Sequence, residues 1–338
     1  MLFQIQSFVA THQSATGAAQ DAGSGSGQAS ARSNSGMLSP EFERFVFEWK
    51  DIQIVRPCGS GSFGVVYLAS WRFTPIAVKV LLNPARSAGQ SPLDLPQQML
   101  KRLEEEAGVM ARMRHPNIVA FIGVCVVPPC VLTEYCSRGS VYSLLRDPQM
   151  AAHLTWRLRL NMSLDAARGM AYLHAHSPPI IHRDVKSPTW CLVDEAWRVK
   201  VSDFNLSRIL EGDQPLSSSS ATTGGANNPL WLAPEIFGGN KAIAASDVYA
   251  FGMVLFELLT WQLPWAGIPP YRVPVLVNAG QRPDIPPREE LPGPESASWQ
   301  GLDAYCQLMS DCWAQDPAAR PSFDAILPRL AELAGLVD

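Results

Sequence analysis

Two hydrophobic periods divide this chain of 338 residues, and the change from one to the other near residue 135 constrains its fold more than any other feature. Ile52 to Val55, Val65 to Ala69 and Ile76 to Leu82 are short β-rich runs separated by Gly-rich or polar turns, the pattern of an antiparallel meander. Pro96 can open a helix, and from Met99 the apolar positions Leu103, Ala107, Met110 and Met113 recur every three or four residues, with Glu106 at the border of that stripe. Ile118 to Val124 and Val131 to Glu134 read as two further strands. Beyond them the period turns helical: Leu160, Leu164, Ala167, Ala171 and His174 share one face, and helical patterning returns from Leu302 to Leu333. Nine prolines between 264 and 294 predict a turn-rich connection without a regular element. Strands with one helix followed by mostly helices imply two lobes joined near residue 135.

Residues 1 to 40 contain 20 Ser, Gly or Ala and two charges, Asp21 and Arg32. So few large apolar side chains cannot offset the entropy of ordering, and a disordered low-complexity lead is expected over 1–44. The ordered domain is then expected over 45–335, divided into lobes at about 45–135 and 136–335. A formal net charge of -4 gives no basic footprint for nucleic acid. The seven cysteines form no Cys-x-x-Cys pair and have no histidine at zinc-like spacing, which suits free thiols in a reducing compartment. The longest apolar runs, Ile118 to Val127 and Val248 to Leu259 with Glu257 inside it, fall short of a membrane span, and Met1 to Ala10 lacks a signal-peptide pattern. The expected location is cytoplasmic.

Gly59-Ser60-Gly61-Ser62-Phe63-Gly64 lies between two strand-like runs and not before a helix, which argues against a dinucleotide fold. Glycines let such a hairpin approach polyphosphate closely, although a Gly-rich hairpin can also be only a turn. Ile76-Ala77-Val78-Lys79-Val80 carries one lysine in an apolar run. A buried ammonium needs an anionic partner, which Glu106 and a nucleotide phosphate would supply. The plainer alternative is an exposed edge-strand lysine beside a solvated Glu104-Glu105-Glu106 run.

With these motifs the chain resembles the protein kinase superfamily over residues 50 to 333. The resemblance rests on the Gly-rich loop, Ala77-Val78-Lys79, Glu106 before His115-Pro116-Asn117-Ile118, His182-Arg183-Asp184, Asp203-Phe204, Ala233-Pro234-Glu235, Asp247 to Gly252 and Arg320-Pro321. Trp313-Ala314-Gln315-Asp316-Pro317 and Thr133-Glu134-Tyr135 look most like the tyrosine-kinase-like group that includes Raf, and Asp184-Val185-Lys186 looks like the catalytic loop of serine/threonine kinases. The resemblance implies an α+β, bilobal kinase fold: a small antiparallel β-sheet lobe with one helix and a larger, mainly α-helical lobe.

It also implies ATP-dependent transfer to Ser or Thr of protein substrates in signalling. Asp184 would accept the hydroxyl proton and Lys186 would neutralise γ-phosphate charge. Lys79, paired with Glu106, would hold phosphate, and Asp203 with Thr189 would hold Mg²⁺, or Mn²⁺. Gly59, Ser60, Gly61, Ser62, Phe63 and Gly64 would cover the nucleotide. Val66, Ala77, Cys191 and Leu192 would form an apolar adenine slot, with Thr133 and the backbone of Glu134 and Cys136 beside it. Glu235 and Arg320 look like the family's buried ion pair, and Asp247 would brace the catalytic loop.

Three positions depart from the family pattern: Thr189 stands where the family has a metal-ligating Asn, Asn205 where it has Gly, and Asn228 where a Thr would brace Asp184 and Lys186. Two readings follow, a serine/threonine kinase and, alternatively, a nucleotide-binding pseudokinase acting as scaffold or allosteric partner. A phosphate on Ser217 to Ser220, Thr222 or Thr223 could pair with Arg183, or the segment could be a plain polar loop. The stretch Asn83 to Gln98 reads as an insertion, and nothing in the sequence names an oligomeric state.

Overall fold

A computed structural model describes residues 40, 42–61, 64–81, 97–204, 208–209, 229–293 and 299–337. The lead up to residue 39, most of the 83–98 stretch, Ser62, Phe63, Asn205, Asn228 and the 217–223 hydroxyls lie outside the described residues. The described chain forms two compact units, one reaching Ala111 and including Phe121–Tyr135, the other formed by Arg112–Ala120 and Cys136 onward.

In the first unit, Glu43–Phe45 and Trp49–Asp51 are 3-10 turns, with Phe42 already buried. The strands are β1 (Ile52–Gly61), β2 (Gly64–Trp71), β3 (Thr74–Leu81), β4 (Phe121–Cys125) and β5 (Cys130–Glu134), and helix α1 spans Gln97–Ala111. The meander expected from sequence is present as an antiparallel sheet in the order β1-β2-β3-β5-β4. Side chains alternate across a strand, so Val65, Tyr67, Ile76, Val78, Val80 and Leu132 pack with Trp49 and Ile52 on one face. The partly exposed Val66, Ala77, Lys79 and Thr133 take the intervening positions. Gly64 has no substitute: a Cβ there would stand 2.3 Å from the Val80 carbonyl oxygen.

The second unit is α+β by small additions to a helical frame. Strand β6 (Gly139–Ser140) precedes α2 (Val141–Leu145), α3 (Pro148–Ala151) and α4 (Trp156–His174). The remaining strands are β7 (Ile180–Ile181), β8 (Cys191–Val193), β9 (Val199–Val201) and β10 (Arg208–Ile209). They pair as β6-β8-β9 and β10-β7. Only Ile180-Ile181 was strand-like in the sequence; the others are two or three residues long and carry no period. The run expected as a strand from Ile118 starts at Phe121, since Ile118 instead bridges Val201 in the second unit.

Then come α5 (Pro234–Phe237), α6 (Ala244–Thr260), α7 (Val273–Asn278), α8 (Leu302–Cys312) and α9 (Phe323–Leu336). Helix α7 corrects the expectation of an irregular 264–294 stretch. Its Pro274 sits in the first turn, where a missing N–H costs no helical bond. Helix α6 is buried all round from Ser246 to Thr260, as a helix apolar on every side must be. Its last carbonyls are held by Arg159 of α4, which is 1% exposed. Arg159 Nη1 donates to the carbonyls of Leu258 and Leu259 at 3.3 and 3.1 Å. The rings of Trp299, Trp156 and Trp261 flank its guanidinium at 4.7, 5.4 and 5.6 Å, and burial pushes its pKa down to about 10.

Candidate active site

In the first unit the Gly-rich residues belong to the β1–β2 hairpin, where Gly59, Ser60 and Gly61 pair in register with Val66, Val65 and Gly64. Lys79 lies on β3 between Val66 of β2 and Val131 of β5, while Ala77 stands opposite Thr133. Its ammonium meets the Glu106 carboxylate of α1 at 2.9 Å, with side-chain exposures of 18% and 9%. Lys79 is therefore on a central strand and paired, and the edge-strand alternative is set aside. Glu134 closes β5 opposite Ile76. Cys136, in the second unit, is buried and its carbonyl accepts the Gly139 N–H.

In the second unit, the loop between β7 and β8 is fixed from beneath by Asp247. One carboxylate oxygen accepts the His182 N–H at 2.8 Å and lies 2.9 Å from His174 Nε2; the other accepts the Arg183 N–H at 2.8 Å. Arg183 is held at φ 71°, the left-handed region that favours glycine. Lys186, two residues after Asp184, donates from Nζ to Asp184 Oδ2 at 2.5 Å. Burial pushes the Asp184 carboxyl above its usual range; Lys186 opposes the shift and the Asp203 charge adds to it. His182 lies under both arms of the site, its Nε2 2.9 Å from the Ser202 carbonyl oxygen and its ring against Phe204.

Asp203 adopts φ 65° beside the fully buried Phe204, so the backbone sets where its carboxylate stands. Thr189 is exposed, and its carbonyl accepts the Ser202 hydroxyl at 2.6 Å. Cys191 is buried on β8 opposite Val201, and burial pushes its thiol pKa well up. The expected Glu235–Arg320 pair is bidentate at 2.8 and 2.9 Å.

A family model described as protein tyrosine and serine/threonine kinase matches residues 52–330. The chain belongs to that kinase family. A curated relative, "Probable serine/threonine-protein kinase drkA" of Dictyostelium discoideum, is 39% identical over 278 residues, which is 81% of this chain and 38% of that protein. "Serine/threonine-protein kinase CTR1" of Arabidopsis thaliana is 40% identical over 290 residues, 84% of this chain and 32% of that protein. This kinase-family chain thus spans only about a third of the length of these two curated relatives.

One polar residue of this kinase chain was left without a role in the sequence analysis. Glu257 interrupts the apolar run of α6 and is fully buried, accepting from the Ser187 hydroxyl at 2.6 Å and the Trp231 indole at 2.8 Å. A lone carboxylate inside twelve otherwise apolar helical positions was the signal, because such a group needs donors on arrival in the core. Among the described residues, no group of three His, Cys, Asp or Glu is placed to hold a metal, and no helix is long and apolar enough to cross a membrane.

Proposed function

We propose that the chain transfers the γ-phosphoryl group of ATP to serine or threonine hydroxyls of protein substrates. The observation that carries this reading is Asp184: a carboxylate on a braced loop, bonded to Lys186 and raised in pKa by burial, which is what a general base working near neutral pH requires. Asp184 takes the hydroxyl proton as the substrate oxygen bonds to the γ-phosphorus, and the bond from that phosphorus to the β,γ-bridging oxygen breaks to release ADP. Lys186 offsets the charge that develops on the transferring group. Glu106 fixes the Lys79 ammonium, which binds phosphate oxygens as a point charge.

Gly59, Ser60, Gly61 and Gly64 of the hairpin would cover the phosphates. In the first unit Val66, Ala77, Thr133 and the backbone of Glu134 are the residues that would serve adenine, and in the second unit Cys191 and the backbone of Cys136. The oxygen donors of Asp203 and Thr189 fit a hard dication, Mg²⁺ or Mn²⁺, and they are the residues that would hold it. When bound, that ion neutralises phosphate charge. The names of the drkA and CTR1 relatives favour this reading over a pseudokinase. A cytoplasmic signalling kinase acting on protein substrates is the corresponding role.

The test is transfer from labelled ATP to casein with Mg²⁺ and then Mn²⁺, comparing the chain with Asp184→Asn and Lys79→Met. Transfer by the unaltered chain and its loss in both variants is expected. Equal background in all three, with ATP still raising the melting temperature, would leave the pseudokinase reading in its place.

A further inference from the structure

Helix α6 carries two buried carboxylates, and the second has no part in the chemistry described so far. Glu257 is 0% exposed, as is Ser187, and Trp231 is 5% exposed. Oε1 accepts the Ser187 hydroxyl and Oε2 accepts the Trp231 indole N–H, so each oxygen serves a different stretch of chain. Ser187 lies three residues after Asp184 on the same loop. Trp231 ends the 3-10 turn Pro229–Trp231, which leads into Ala233-Pro234-Glu235.

The other charged or titratable neighbours are few. Arg146, after α2, approaches Oε1 only to 3.9 Å, and Cys191 of β8 feels the Glu257 charge. Arg159 of α4 and Tyr305 of α8 bond backbone carbonyls of α6 and not this carboxylate. The carboxylate therefore depends on two neutral donors.

We propose that Glu257 is a positioning residue that ties the loop carrying Asp184 to the Pro229–Trp231 segment, with its Ser187 arm governing turnover. The proposal rests on the phosphoryl-transfer reading above. The two arms differ chemically because an indole N–H can only donate, whereas a hydroxyl can donate or accept. Oε2 must stay an acceptor for Trp231, so a proton taken up by Glu257 goes to Oε1 and points at the Ser187 oxygen. The serine hydrogen then loses its buried acceptor, and the loop arm weakens while the Trp231 arm persists. Burial pushes the Glu257 pKa up to about 7, with the Ser187 and Trp231 bonds and Arg146 opposing, which puts this exchange close to neutrality.

Glu257→Gln imitates the protonated form, since its amide donates to Ser187 and its carbonyl accepts from Trp231. At pH 8 it should lower kcat about five- to tenfold, leave KM for casein unchanged, and remove the part of the wild-type loss of kcat that appears as pH falls through 7. Ser187→Ala should reproduce that behaviour. Trp231→Phe should keep kcat within about twofold of the wild type, and KM for ATP should stay constant throughout. Superimposable pH profiles of wild type and Glu257→Gln would overturn the proposal, as would a loss of kcat in Trp231→Phe equal to that in Ser187→Ala.

A readout that needs no activity is the Trp231 indole N–H resonance, identified by its loss in Trp231→Phe. It should titrate with a midpoint near 7 in the wild type and stay fixed in Glu257→Gln; a resonance indifferent to pH in both would defeat the tie. A wild-type chain that transfers no phosphate overturns the kinase reading and the kinetic assignment, while the indole titration decides the tie by itself.

Discussion

Replacing Asp247 tests what holds the catalytic loop in place. Its carboxylate is 2% exposed and receives the His182 and Arg183 N–H groups, both at 2.8 Å. Alanine would strand both donors without water access, at about 1–3 kcal/mol each, so the second unit should lose about 2–6 kcal/mol. Asparagine has the same shape but presents one oxygen and one NH₂, so it can satisfy one donor only and should cost about 1–3 kcal/mol. Against a total stability of about 5–15 kcal/mol both losses are large. The strain at Arg183, φ 71°, is held in part by the bond that is removed, so the loop should relax and transfer should fall with stability. Urea unfolding at pH 7, followed by tryptophan fluorescence, reads this directly. With a slope of about 3 kcal/mol per molar, the midpoint should drop by about 0.7–2 M for alanine and about half as much for asparagine. A drop under about 0.3 M for alanine, or asparagine costing more than alanine, would refute the argument that stranded backbone donors set the loss.

Lys79→Met leaves the Glu106 carboxylate without its 2.9 Å partner, and ATP should no longer raise the melting temperature; an undiminished rise in differential scanning fluorimetry contradicts the phosphate-binding role. Gly64→Ala forces a Cβ to 2.3 Å from the Val80 carbonyl and should cost at least about 2 kcal/mol in urea unfolding; a neutral result would mean that the hairpin moves freely. Burial raises the Glu235 pKa, but hydrogen bonds from Arg320 and Ser246 outweigh it and hold the group below its ordinary 4.5. A depressed carboxylate contributes stability above its unfolded pKa and loses it as pH falls through the folded one, so Glu235→Gln should flatten the urea midpoint below pH 5. Glu257 has the opposite sign: raised to about 7, it favours folding when protonated, and that contribution, at most about 3 kcal/mol, is lost as pH rises from about 4.5 through 7. Glu257→Gln should therefore remove a downward slope in stability between pH 5 and 8, which urea titration at several pH values will show.

Legibility in the sequence followed the length and the charge of each feature. Strands β2, β3 and β5 and helices α4 and α6 are long enough to repeat their period, and β-branched or apolar runs made them visible. Lys79 and its partner Glu106 were readable because a charge inside an apolar stretch demands a counter-charge, whereas Asp247, Glu235 and Arg320 were readable from the family resemblance, and each has a partner here. The strands β6, β8 and β9 were not, because pairs of two or three residues are created by tertiary contact and have no period of their own. Helix α7 was hidden by the prolines around it, although a proline in the first turn is compatible with a helix. Glu257 was noticed as a break in an apolar run and left without a role, since its partners Ser187 and Trp231 are 70 and 26 residues away and neutral.

The two ends of α6 are fastened by opposite charges. Its N-terminal end grips the catalytic loop through the Asp247 carboxylate, which accepts two backbone N–H groups. Its C-terminal end is closed by the Arg159 guanidinium, which donates to two backbone carbonyls within a wall of tryptophan rings. A substitution at either residue is therefore felt first in main-chain groups, whatever side chains surround them.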